Sequence, residues 1–177
     1  MALLGTDYAW LDWVEILYRD PNLSDASDFF WEPGTSVVSS HDATLFTTLC
    51  AWFADASLVY PDAQFVVPLG LGMHRDHQFV FHAALKSLDR KHILFFEDFP
   101  YATYYSYDEI IEYVKPYDTS FIEVDISACL EQRIAVSEVY QSQIPTLFFM
   151  APSFQELIRA YTLEAGKQQH PIERYWR

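Results

Sequence analysis

A glycine-punctuated turn carrying two histidines and an aspartate constrains this chain most. It reads Pro68-Leu69-Gly70-Leu71-Gly72-Met73-His74-Arg75-Asp76-His77. The apolar run Phe65-Val66-Val67 before it predicts a buried strand, and the amphipathic run 78–88 after it predicts a helix. A strand that turns sharply into a helix is the building unit of an α/β sheet. Ligands of such sheets bind at the carboxyl ends of the strands. Gly70 and Gly72 let the backbone turn tightly and let a ligand come close.

If the helix begins near position 74, then His74, His77, Phe81, Ala84 and Leu88 share one face at spacings of three and four. Asp76 lies one residue off that stripe, where it can accept a hydrogen bond from a ring N–H. Imidazole ligates zinc, and a carboxylate behind it fixes the tautomer. A second histidine that does not bind the metal can act as general acid or stabilise an oxyanion. The alternative is two satisfied polar groups at the edge of a core. A catalytic zinc needs three protein ligands and an open position. His41, His82 and His92 supply no second ligand pair by their spacing.

Elsewhere the chain alternates strand-like and helix-like segments. Residues 1–6 read as the tail of a helix closed by Gly5. Residues 11–18 (LDWVEILY) read as a strand left through Arg19-Asp20-Pro21. Residues 22–40 read as a long loop, with Phe29, Phe30 and Trp31 as a lid or, preferably, a staple. Ser40 or Asp42 can cap a helix to about position 56, striped by Leu45, Leu49 and Phe53. Strands follow at 64–68 and 92–96, the second running into Glu97-Asp98-Phe99-Pro100-Tyr101. A helix at 107–113, a strand at 121–126, helices at 127–143 and 153–163, and the tail HPIERYWR complete the chain. There are no internal repeats. The alternation predicts an α/β fold with a largely parallel sheet.

Composition excludes several classes. The 177 residues suffice for one domain, and half are hydrophobic, so a packed core is expected. A net charge of −14 argues against nucleic-acid binding. No apolar run approaches the length of a membrane span, and no signal peptide is legible, so a cytoplasmic protein is expected. Cys50 and Cys129 form neither a disulfide framework nor a cysteine metal site.

Five segments, in order, resemble one known family. They are LGTDYAWLD…YR ending at Arg19, PLGLGMHRDH at 68–77, FEDFPYA at 96–102, Tyr140 to Gln143, and the closing Glu173-Arg174-Tyr175-Trp176. Together they resemble the PIG-L/LmbE-like zinc-dependent de-N-acetylases of N-acetylglucosaminyl compounds. The resemblance implies a Rossmann-like α/β layer fold and hydrolysis of an acetamide on a sugar. It implies that His77 ligates zinc, that His74 protonates or stabilises the tetrahedral species, and that Asp76 orients a histidine. It implies that Arg19 lies near the sugar end of its strand, and that Glu97 and Tyr101 line the pocket. The last two segments would be the family's C-terminal helix and tail.

One departure is large. The family's first motif, His-Pro-Asp-Asp, supplies the general base and two further zinc ligands. Here His170-Pro171 is followed by Ile172, and no such motif exists. The expectation is a single domain over 1–177 that lacks the family's N-terminal strands, binds zinc poorly through His77 alone, and is inactive and poorly soluble or homo-oligomeric. Three functions stay open. The chain is part of an amidase acting on a small N-acetylated sugar conjugate, a non-catalytic carbohydrate-binding remnant, or an interaction protein using the aromatic loop.

Overall fold

The computed structural model describes residues 4–20, 23, 26–30, 38–148 and 153–177, leaving aside the side chains of 26 and 27. In chain order the elements are α1 (Ile16–Arg19), α2 (Ala43–Val59), β1 (Phe65–Pro68), α3 (Arg75–Ser87), β2 (Ile93–Phe96), α4 (Tyr107–Val114), β3 (Phe121–Asp125), α5 (Leu130–Ser137), α6 (Ile144–Leu147), α7 (Phe154–Ala165) and β4 (Ile172–Trp176). The fold is α/β, as expected, with a four-stranded sheet in the order β1-β2-β4-β3. The chain divides into two compact units, Trp13–Ile122 with Tyr175–Arg177, and Met1–Asp12 with Glu123–Arg174.

In the larger unit β1 and β2 are parallel, registered from Phe65 opposite Ile93 to Pro68 opposite Phe96. Tyr175 and Trp176 then pair antiparallel with Phe96 and Phe95. Val67, Ile93 and Phe95 are buried from the sheet, and Phe81, Ala83 and Ala84 from α3. The Phe81 and Phe95 rings meet at 4.8 Å between centroids. Burying one such aromatic side chain contributes about 1.5–3 kcal/mol. In α2, Leu49 and Phe53 are buried as the stripe predicts. Helix α4 opens with a capping box. The Ser106 hydroxyl accepts from the Glu109 N–H, and the Glu109 carboxylate accepts from the Ser106 N–H.

In the smaller unit the Ser153 hydroxyl caps α7 by accepting from the Glu156 N–H. Ile158 and Thr162 of α7 are fully buried, and the Thr162 hydroxyl is satisfied by the Ile158 carbonyl at 2.9 Å. Arg133 pairs with Glu173 at 2.8 Å. The exposed Arg159–Glu131 pair contributes little, because water screens it.

Two expectations need correction. Residues 11–18 do not form a strand; the described backbone there is irregular up to the single helical turn α1. Trp13, Val14, Leu17 and Tyr18 are exposed, and only Ile16 is fully buried. No neighbouring strand satisfies the Ile16 N–H, which donates to the Asp76 carboxylate at 2.9 Å. The helix expected over 127–143 is shorter, because the Asp125 carboxylate accepts from the Ser127 N–H and holds a turn before α5. Its end tightens through i→i+3 bonds at Val139 and Tyr140, and Pro145 opens α6. The closing tail forms a strand. In β4 Ile172, Arg174 and Trp176 are buried and alternate with half-buried residues, the period of a strand.

Residues 1–3 of the expected N-terminal helix tail, and Trp31 of the aromatic trio, lie outside the described residues. The rest of the trio supports the staple. Residues Ala26–Phe29 form a 3₁₀ turn, and Phe30 makes a backbone bridge to His74.

Candidate functional site

The site grows from the parallel β1–β2 pair. Its register continues past both strands, with the Leu69 N–H donating to the Phe96 carbonyl at 2.9 Å. The loop after β1 and the loop after β2 therefore lie side by side at the carboxyl end of the pair. Gly70 has φ +84° and Gly72 has φ +79°. Both are left-handed, where a Cβ is unfavourable. Space excludes a side chain as well. A Cβ on Gly72 would lie 2.5 Å from Cβ and Cγ of Tyr101, and one on Gly70 would lie 2.5 Å from Nε2 of Gln78. Leu69 and Leu71, fully buried, anchor the turn between the glycines.

Two buried polar side chains hold the turn. The Gln78 amide donates to the Gly70 carbonyl at 2.6 Å and to the Tyr113 hydroxyl at 2.9 Å. Burial raises the Tyr113 hydroxyl far above the ordinary phenol range, so it stays protonated and can donate. Asp98, just after β2, accepts the Leu71 N–H on Oδ2 at 2.9 Å.

The two histidines follow directly. His74 is the N-cap of α3, and its Nδ1 accepts from the Asp76 N–H at 3.3 Å. A neutral ring that accepts on Nδ1 carries its proton on Nε2. Burial and the neighbouring His77 push the His74 pKa down, so the neutral ring is favoured near pH 7. His77 lies one turn further on, with ring centroids 5.0 Å apart. Its Nδ1 is 2.6 Å from Oδ1 of Asp98, in contact without hydrogen-bond alignment, and neither atom has another hydrogen-bond partner among the described residues. Tyr101 stacks on His74 at 6.3 Å and meets His77 edge-on at 5.8 Å. Phe30 packs edge-on against His74 and Tyr101 at 6.0 and 6.1 Å. Burial, and then the nearby Asp98, raise the Tyr101 phenol, which remains neutral.

The structure thus brings together His74, His77 and Tyr101 of the expected residues, and adds Phe30 and Asp98. Three others are engaged elsewhere. The Asp76 carboxylate bonds no ring nitrogen among the described residues; it accepts from Arg19 Nη2 at 2.7 Å and from the Ile16 N–H. Arg19 is spent on packing. Its Nε pairs with Asp42, its Nη1 donates to the Val14 carbonyl, and its guanidinium lies 5.4 Å from the centre of the Phe79 ring. Asp42, expected as a helix cap, makes no side-chain cap on α2. Glu97 is buried and accepts from Trp176 Nε1 at 3.1 Å.

Asp98 had no signal in the sequence itself. Only the parallel register, with Pro68 opposite Phe96, puts residue 98 beside Gly70. Gln78 and Tyr113 had none, since each is a polar residue inside a helix that spacing alone assigns to no site.

The donors do not complete a zinc site. Among the described residues no three His, Cys, Asp or Glu side chains converge on a point where a metal could sit. Both Nδ1 atoms face protein groups, which leaves two imidazole Nε2 atoms where a catalytic zinc needs three protein ligands.

The fold is similar to those of solved deacetylase structures. The particular likenesses are to solved structures. One is the zinc-inhibited form of teicoplanin deacetylase Orf2, 20% identical, with a TM-score of 0.60 over 82% of this chain. Another is the A40926 pseudoaglycone deacetylase Dbv21, 14% identical, with a TM-score of 0.62 over 78%. A third is a deacetylase from the teicoplanin biosynthesis pathway, 21% identical, with a TM-score of 0.59 over 80%. The chain spans 57–59% of the length of these three. At these identities the shared property is the fold. No family profile matches the chain, and no curated protein matches it. No helix among the described residues is long and apolar enough to cross a membrane.

Proposed function

We propose that the chain carries the histidine wall of a PIG-L-like sugar de-N-acetylase site. It binds an N-acetylglucosamine-type conjugate there without completing hydrolysis by itself. One observation carries this reading. Two imidazoles sit side by side on a glycine-shaped turn at the carboxyl ends of parallel strands, in a fold shared with three deacetylases.

In acetamide hydrolysis the amide C–N bond breaks, water adds its oxygen to the acetyl carbon, and the amine takes up a proton. His74 suits the acetyl oxygen, because a neutral ring with its proton on Nε2 donates a hydrogen bond where negative charge develops. The Tyr101 face offers an apolar platform beside it, on which the C–H face of a pyranose can rest. Zinc is implied by the resemblance, but the donor set falls short of it, so no step runs through a metal. The same shortfall supports a second reading, a carbohydrate-binding remnant that never hydrolyses its ligand.

The test is titration of the whole chain with an N-acetylglucosaminide, followed by NMR and by acetate release. The expected result is shifts at Phe30, His74 and Tyr101, lost in His74→Ala, with no acetate. Acetate release would refute the incomplete site, and the absence of any shift would refute both readings.

A further inference from the structure

We propose that Asp98 is a positioning residue that holds His77 in the tautomer with its proton on Nδ1 and its lone pair on Nε2. Use of that lone pair in catalysis rests on the deacetylase reading; the tautomer itself does not.

The Asp98 side chain is completely buried, and its two oxygens are divided. Oδ2 takes the buried Leu71 N–H, and Oδ1 lies 2.6 Å from His77 Nδ1. Among the described residues no other hydrogen-bond partner reaches Oδ1 or Nδ1. A carboxylate has only acceptors to offer. An unprotonated Nδ1 would therefore set two buried lone pairs against each other at 2.6 Å, whereas an Nδ1 proton turns that contact into an attraction between an N–H and a carboxylate that is otherwise costly to leave unpaired. His77, with a third of its side chain exposed, keeps Nε2 as the acceptor. His74 has the opposite arrangement, because its Nδ1 accepts from a backbone N–H. The pair thus presents one donor and one acceptor.

The division of oxygens makes Asp98→Asn informative. The Leu71 N–H requires the amide oxygen, so the amide NH₂ must face His77 Nδ1. That ring must then accept on Nδ1 and move its proton to Nε2. The same logic underlies loss of activity when a catalytic triad aspartate becomes asparagine.

The experiment is imidazole ¹⁵N NMR of the full chain at about pH 8, above the ordinary imidazole range. The expected wild-type spectrum has His77 protonated on Nδ1 and His74 protonated on Nε2. In Asp98→Asn the His77 proton moves to Nε2, while His74 and the backbone fingerprint are unchanged. A wild-type His77 protonated on Nε2 or on both nitrogens overturns the proposal, as does an Asp98→Asn spectrum that leaves His77 unmoved. If that variant fails to fold, the wild-type spectrum decides alone, because imidazole free in water favours the Nε2–H form. The sugar titration is independent. If it fails while the tautomer holds, the deacetylase reading falls and the Asp98 assignment stands.

Discussion

Gly72→Ala tests the physical reading of the turn most directly. Two costs add at this position. With φ at +79°, an alanine must hold a left-handed backbone, which costs about 1–2 kcal/mol. Its Cβ would also lie 2.5 Å from Cβ and Cγ of Tyr101, and no rotamer change can move that Cβ away. Tyr101 must shift as a whole, and its ring contacts with His74 and Phe30 loosen. Such aromatic pairs contribute about 0.5–1.5 kcal/mol each. A loss of about 2–4 kcal/mol follows. Gly5→Ala is the control, since Gly5 has φ +62° with nothing within 4 Å of the added Cβ. It incurs at most the backbone cost. Urea unfolding of the two variants, monitored by tryptophan fluorescence and circular dichroism, measures the difference. Equal midpoints would refute the claim that Tyr101 packs against the turn. Preserved stability in Gly72→Ala would refute the left-handed geometry as well.

Other perturbations follow the same reasoning. Asp76→Ala leaves the Ile16 N–H and Arg19 Nη2 without their acceptor and should cost about 2–3 kcal/mol in urea unfolding; Asp76→Asn should recover part of this. Gly166→Ala puts a Cβ 1.8 Å from the His170 carbonyl oxygen, a backbone atom, and should cost about 3 kcal/mol; an unchanged midpoint would contradict that packing. His74 and His82 have pKa values lowered by burial, so below their ordinary value near 6.5 the unfolded chain binds more protons than the folded one. Their stabilisation is complete above that pH and is lost as pH falls through the folded values. Unfolding midpoints should decline from about pH 7 to pH 5, and His74→Gln should flatten the slope; a stability that rises on acidification would show the sign to be wrong.

What could be read from the chain depended on whether each residue's role was local. The β1–turn–α3 unit was legible because apolar run, glycines and helical spacing lie within about two dozen consecutive positions, and each constraint acts on its neighbours. The aspartates show the limit. Asp76 sits in the motif, and spacing placed it beside the histidines, yet its carboxylate is taken by Arg19 and Ile16, which lie 57 and 60 residues away. Asp98 sits in a segment that spacing connects to nothing, yet it is the carboxylate on His77. Which aspartate serves an imidazole is decided by strand order, because only a parallel β1–β2 pair sets the two loops together. The same holds for LDWVEILY. Its β-prone composition is real, but a strand needs a partner for its backbone. Asp76 provides a single acceptor, so the chain makes one helical turn around Ile16. The tail ERYW shows the converse. Its residues do not alternate apolar and polar, yet they form a strand because Phe95 and Phe96 offer an edge to pair with. The residues of the turn therefore belong to the local sequence, whereas the direction in which their protons point belongs to the sheet.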